Sequence, residues 1–463
     1  MLKKLFLTLL LAGLTIAFAI TIVKSLKKSG VADNLKTSQL TNTLKCPPEC
    51  NVILISIDDL RSDYLNTYGH KNPTSPNIDK FAQKSLVFEN SFAQSSWTLP
   101  SHTAMLTGKY PHNLDIEIIS DRLPESSSIA EILKNNDYLT AAYTSGAFIN
   151  EDHGFARGFD TFEENDSWQD AETLTQNAIH WLNNKKQKKI FLFLHYFHVH
   201  DPYSPNGDSA KLVDPNYTGS LKSFDISQIV KLNKEEITLP QSDLEQIKTL
   251  YDAELLELDS NLGKIFQLLS ETKLIDNSIV VITSDHGEEF GERGGWGIHG
   301  YSLYDELIKV PLIIRIPDSK PERIPHLTEL VDIVPTITSL LNLKNPLEFD
   351  GVNLLDIASG KLSKDYVYSE TFIQKQQMLD NIEEGYSIRR IADIPPQVQN
   401  GLNQQKKQKI KTRTIRTTGF KLIKNFNGST EFYNIKDDPL EKNNLAGQGL
   451  KEETGLLEKL KDY

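Results

Sequence analysis

Three short stretches without a charged residue constrain this chain most: Asn51–Ile57, Phe191–Leu194 and Ser278–Thr283. They are aliphatic, β-branched or aromatic throughout the middle, with no polar alternation. Such runs suit strands buried on both faces, as in the parallel sheet of an α/β protein. Each ends in chemistry. The first runs into Asp58-Asp59, the second into His195-Tyr-Phe-His198-Val-His200-Asp201, and the third into Ser284-Asp285-His286-Gly287-Glu288. Open α/β sheets place their sites beyond the carboxyl ends of their strands. The three clusters are therefore expected on one edge of one sheet.

Further strands are expected at 138–143 and 310–316, and helices at 76–87, 169–184 and 242–271. The stretch Tyr251–Asp259 in the last helix reads as packing with a solvated charged face. Residues 204–240 read as a loop-rich cover, and 385–414, rich in Gln, Lys and Arg, as an exposed loop or hairpin. The composition changes near residue 345. The expected division is 1–24 signal anchor or signal peptide, 25–50 linker, 51–345 catalytic domain and 346–463 C-terminal subdomain. Residues 5–23 carry no charge and are flanked by lysines. As a helix they rise about 28 Å, close to a bilayer core. This points to an uncleaved membrane anchor, or to secretion if the segment is cleaved at Ala17-Phe18-Ala19. In either case the body lies outside the cytoplasm, in a periplasm or at a cell surface.

The net charge is −12, and the first 45 residues hold seven Lys and one acid, which leaves −18 on the rest. An acidic body argues against nucleic acid as a partner and is compatible with cation binding. Asp58 and Asp59 repel one another unless a cation relieves them. Asp285 and His286 side by side are a divalent-cation signal. The only cysteines, Cys46 and Cys50, make either a small disulfide loop or two free thiols.

Between these motifs lies Thr98-Leu99-Pro100-Ser101-His102, followed by Leu106-Thr107-Gly108. Thr98 is expected on an extended turn, with a helix from Ser101 to Thr107 that Gly108 stops. A hydroxyl is thereby presented where free N–H groups and the helix dipole favour an oxyanion.

This last stretch resembles the signature of the sulfatases, Cys/Ser-x-Pro-Ser-Arg followed by Leu-Thr-Gly. Asp58-Asp59-Leu60-Arg61, His200-Asp201-Pro202-Tyr203, Asp285-His286 and the tail Asp438–Leu445 resemble the same family in the same order, from residue 51 to about 450. The resemblance implies an alkaline phosphatase/sulfatase-like α/β fold, with a mixed, mostly parallel sheet sandwiched by helices and a small C-terminal α+β subdomain. It implies hydrolysis of sulfuric or phosphoric esters. It also implies one divalent cation, Ca, Mn or Zn, held by Asp58, Asp59, Thr98, Asp285 and His286. A second cation is left open by the spare histidines, although no second carboxylate stands out to complete its site. His102, His200 and His299 are implied to balance charge and assist the leaving group, while His195 and His198 read as packing histidines.

The chain departs from the family at Thr98, where sulfatases carry the Cys or Ser oxidised to formylglycine, and at His102, where they carry Arg. Ser145-Gly146-Ala147-Phe148 replaces a Gly-Lys-x-His element. A Thr cannot yield the aldehyde, because its Cβ already bears a methyl group. Thr98 is then expected to be the nucleophile itself. The substrate is a sulfated or phosphorylated small molecule, glycan or lipid. The competing readings are a membrane-anchored phosphoglycerol- or phosphoethanolamine-type transferase, and a non-catalytic surface binding protein with this fold.

Overall fold

The charge-free runs form the centre of an eight-stranded sheet. The computed structural model describes residues 46–463, except 48, 126–127, 147, 166–169, 186–188, 207–208, 344–347, 377, 380–390 and 410. The apolar run 5–23 lies outside the described residues. Among the described residues, no helix is long and apolar enough to cross a membrane.

In chain order the strands are β1 (Asn51–Ile57), β2 (Leu86–Phe92), β3 (Leu139–Thr144), β4 (Thr161–Glu164), β5 (Ile190–Tyr196), β6 (Ser278–Ser284), β7 (Glu289–Phe290), β8 (Trp296–Ile298), β9 (Lys309–Arg315) and β10 (Glu322–Glu329). The large sheet runs β10-β2-β9-β6-β1-β5-β3-β4, and β7 pairs only with β8. Within the large sheet β9 is antiparallel to both neighbours, and every other pairing is parallel. β1 lies between β5 and β6, with Ile57 level with Tyr196 on one side and Ser284 on the other. The Asp58, His195–His200 and Asp285-His286 motifs therefore emerge together. Ile53, Ile55 and Ile57 enter one core, and Val52 and Leu54 enter the other. Both faces are covered, which explains the absence of charge from the run.

The helix Gln241–Glu271 packs across the first face through Leu250, Tyr251, Leu255, Leu258 and Leu262. Helices Thr98–Thr107 and Ile333–Leu340 cover the other. A second sheet, β11 (Val367–Thr371), β12 (Thr412–Arg416), β13 (Phe420–Lys424) and β14 (Thr430–Asn434), is antiparallel throughout. It is tied by Lys421 to the start of the helix Asp305–Ile308, just ahead of β9: the fully buried ammonium lies 2.8 Å from Asp305 and 2.8 Å from Glu441. Cys46 and Cys50 are paired in a disulfide.

Four expectations are corrected. The helix beginning at Pro76 stops at Ala82, and the chain enters β2 at Leu86. The polar residues Glu89 and Asn90 obscure this strand's apolar pattern. The stretch 385–414 contains the helix Pro396–Gln408 and then enters β12. Helices also occupy Ser209–Val213 and Ile226–Asn233 within the loop-rich cover. The charged residues of Tyr251–Asp259 are not solvated: Asp252, Glu254 and Asp259 are buried. Asp252 lies 2.9 Å from His70, and Glu254 lies 3.0 Å from His198. Asp259 accepts the N–H groups of Asn77 and Ile78 at the start of the helix Pro76–Ala82. Buried carboxylates need such donors, and sequence periodicity does not reveal them.

Tyr251 ties this helix to the strand ends. Its hydroxyl donates to the Asp59 carbonyl at 2.8 Å and accepts the Arg61 N–H at 3.0 Å. Tyr251→Phe leaves both groups buried without a partner. It is expected to lower stability by about 1–3 kcal/mol, read as a lower urea midpoint. An unchanged midpoint would show that this tie carries nothing.

Candidate active site

Thr98 is the first residue of its helix, preceded by Trp97 as the cap. The helix thus starts three residues before the expected Ser101. Proline restricts the residue immediately before it, here Leu99, and leaves Thr98 free to take helical geometry. Gly108 ends the helix as expected, at φ +68°, with its N–H on the Ala104 carbonyl at 2.9 Å. Thr98 is 3% exposed, and its Oγ1 lies 3.4 Å from His286 Nε2.

That nitrogen is the hub of the site. It is 3.4 Å from Asp58 Oδ1 and 3.3 Å from Asp285 Oδ2. The other ring nitrogen, Nδ1, is 3.1 Å from the Gly287 carbonyl, which only accepts. This bond places the proton on Nδ1 and the lone pair of the neutral ring on Nε2, as a metal-ligating histidine requires. Gly287 is needed here: a Cβ would stand 2.2 Å from the Glu306 carbonyl oxygen.

The carboxylates are held by one oxygen and left bare by the other. His195 Nε2 donates to Asp58 Oδ2 at 3.3 Å, and Asp58 Oδ1 has no hydrogen-bond partner. The His286 N–H donates to Asp285 Oδ1 at 3.0 Å, and Asp285 Oδ2 has none. Neither oxygen of Asp59 has one. All three residues are fully buried. Bare, buried carboxylate oxygens facing a deprotonated imidazole nitrogen fit a divalent cation. Asp58, Asp59 and His286 offer donor atoms that all lie within 4.8 Å of one another.

The remaining histidines divide by position. His102 is fully buried behind Thr98: Nδ1 donates to the Thr98 carbonyl at 3.0 Å, and Nε2 accepts from Ser56 Oγ at 2.9 Å. It props the start of the helix, away from the opening. His200 and His299 stand at the mouth, with side chains 17% exposed. Phe197 stacks on His200 at 4.1 Å. Phe148, from the stretch that replaces the family's basic element, meets Trp97 edge-on at 5.6 Å. His195 and His198 lie behind the site, against Asp58 and Glu254.

Sequence reasoning passed over Ser56, Asp201 and Glu288. Asp201 and Glu288 group with Asp59 within 4.8 Å. Carboxylates beyond the first set are therefore at hand, contrary to expectation. Their adjacency to His200 and to Asp285-His286 was the available signal.

Protonation follows from this crowding. Burial, with Glu288 and Asp58 close by, pushes Asp59 well above the usual carboxylate range. Burial and Asp58 do the same to Asp285. Burial opposes ionisation of Asp58 too, but the His195 hydrogen bond and the neighbouring His200 and His286 hold it below that range. Burial depresses His286 to about 4 and His299 well below its ordinary value. Burial also opposes charge on His200, yet the Asp201 carboxylate beside it pushes it up to about 10.

The sulfatase sequence model matches residues 50–343 of this chain. The chain belongs to the sulfatase family. It is an ester hydrolase of that family. Human iduronate 2-sulfatase is 26% identical over 385 residues, covering 64% of this chain and 70% of that protein. An N-acetylglucosamine-6-O-sulfatase of Bacteroides thetaiotaomicron is 22% identical over 489 residues, covering 86% of this chain and 83% of that one. Among solved structures, a phosphonate monoester hydrolase of Agrobacterium radiobacter superposes with a TM-score of 0.72 at 20% identity, over 89% of this chain and 95% of that one. The likeness of fold thus reaches beyond the span matched by the sulfatase sequence model.

Crowded carboxylates make a pH prediction. Burial, with Asp201 beside it, raises Glu288 from its ordinary 4.5 to about 8. A raised carboxyl adds stability that is complete below its unfolded value and is lost as pH rises through its folded value. Chelator-stripped protein is therefore expected to lose stability from pH 4.5 through about 8. A divalent cation at about a hundred times its Kd restores about 2.7 kcal/mol. Urea midpoints that ignore both pH and cation would refute the fit.

Proposed function

We propose that this sulfatase-family chain hydrolyses phosphate esters through Thr98 as the nucleophile, at a site built for a divalent cation. The observation that carries the reading is the approach of Thr98 Oγ1 to His286 Nε2, the nitrogen that also lies 3.4 Å from the bare oxygen of Asp58 and 3.3 Å from that of Asp285. A divalent cation bound there would lower the pKa of the hydroxyl and polarise an oxygen of the substrate. Thr98 attacks from the helix start, where backbone N–H groups favour an oxyanion. His102 holds Thr98 in place through the Thr98 carbonyl. His195 orients Asp58 through its own hydrogen bond. His200 and His299 stand at the mouth, where charge develops on the leaving group.

Threonine favours phosphate over sulfate. A sulfated formylglycine hydrate expels sulfate by collapsing to the carbonyl, and a sulfated threonine has no such route. The sulfate reading is supported by the family match and by sulfated-glycan relatives, and it makes a sulfated glycan the alternative substrate. We further propose the division into a 51–345 catalytic domain and a 346–463 subdomain, and an extracytoplasmic body anchored or exported through residues 5–23.

Activity toward an aryl phosphate, a phosphodiester and an aryl sulfate tests the choice. Thr98→Ala is expected to lower kcat on the order of 10³-fold or more, and Thr98→Ser to retain activity. High-accuracy mass spectrometry of the Thr98 peptide should show a phosphoryl adduct. A sulfuryl adduct would reverse the preference. Full activity in Thr98→Ala would exclude the nucleophile. Transfer to an acceptor other than water would identify a transferase. Cation binding without turnover of any substrate would identify a binding protein.

A further inference from the structure

We propose that Lys375 receives a second anionic group of the substrate, so that the preferred ester is one whose leaving group itself carries a negative charge. The proposal rests on the reading of Thr98 as the reacting centre and deepens it by naming the class of leaving group. An anion needs a cation to meet it here. Ser145-Gly146-Ala147-Phe148 supplies none, and His102 is turned to the Thr98 carbonyl and Ser56.

Lys375 lies just past β11, on a segment that runs along the rim of the site. Thr371, the last residue of β11, donates its hydroxyl to the carbonyl of Gly300, the neighbour of His299. Gly300 sits at φ +86°, and a Cβ there would stand 3.4 Å from Ile373 Cδ1 and 3.5 Å from Trp97 Cβ. Ile373 packs on the core that contains Trp97, whereas Met378 and Leu379 pack on the core of the opposite face, as Tyr301 does. The chain thus passes from one face of the large sheet to the other beside Gly300 and Tyr301, at the mouth where His299 stands. The helix Pro396–Gln408 holds this segment through Gln405, whose side-chain amide donates to the Phe372 carbonyl.

The Lys375 ammonium lies 5.4 Å from the centroid of the Tyr301 ring. The Tyr301 hydroxyl donates to Glu289, which fixes the ring beneath the ammonium. Among the described residues no carboxylate pairs with Lys375. Other cations of this region are committed. Arg61 is 2.8 Å from Asp63 and 2.7 Å from Glu292, Arg293 is 3.2 Å from Glu306, and Lys411 is paired with Glu370. An ammonium over a ring face keeps its full charge and leaves N–H donors for an incoming acceptor. The chain as a whole carries a net charge of −12 and repels anions. A cation on the rim that no carboxylate neutralises is where a second negative group of the substrate is drawn.

The test compares kcat/KM of the full chain, in buffer containing Mn²⁺, on phenyl phosphate, para-carboxyphenyl phosphate and para-phenylene bisphosphate, with the corresponding sulfates alongside. The preference for a charged over a neutral leaving group is read on whichever ester is turned over, so a sulfate-specific enzyme still tests Lys375. That preference is expected to fall about tenfold in Lys375→Ala, the scale of one charge-assisted contact, and to persist in Lys375→Arg. The carboxylate and bisphosphate arms show which anion is favoured. A preference unchanged in Lys375→Ala would overturn the proposal. So would an equal loss on charged and neutral esters, which marks a structural role for the segment, or a loss of preference in Lys375→Arg with circular dichroism unchanged. No turnover of any ester would overturn it together with the reading on which it rests.

Discussion

Mutual repulsion among buried carboxylates is the constraint on which this structure turns. Asp58, Asp59 and Asp285 are fully buried, and each presents at least one oxygen without a donor. Removing a carboxylate from water costs several kcal/mol unless something compensates. A fold that keeps three such groups together is organised around a charge they can share. The parallel pairing of β1 with β5 and β6 brings them to one edge, and the helix at Thr98 brings the hydroxyl to meet them.

The surroundings hold the charged groups in their orientations. His195 fixes Asp58, the His286 N–H fixes Asp285, and the Gly287 carbonyl fixes the ring of His286. His102, where the family carries Arg, bonds backbone and Ser56 and is withdrawn from the opening. Phe148 stands in the stretch where the family places basic contacts. With those cations missing, the proposed reaction would rely on the helix start and on the imidazoles at the mouth to bind an oxyanion.

Much of this was legible because the buried strands carry an unmistakable pattern and end in chemically distinctive residues. Val52 and Leu54 face one core and Ile53, Ile55 and Ile57 the other, so no charged residue interrupts β1. β2 was missed because Glu89 and Asn90 break its pattern; both are only half-buried. Asp252, Glu254 and Asp259 looked like a solvated face because their partners, His70, His198 and the backbone at Asn77 and Ile78, come from distant parts of the chain. Asp201 and Glu288 were in plain view beside recognised residues, but their approach to Asp59 is a property of folded loops.

The Lys421 contact with Asp305 and Glu441 has a consequence for biosynthesis. It fastens the antiparallel sheet to the segment just beyond His299, so the rim of the site leans on a strand that follows it by 116 residues. A nascent chain can assemble β1, β5 and β6 with their acids long before that support emerges from the ribosome. Until then the crevice is charged and open, and closure of its rim waits for Lys421.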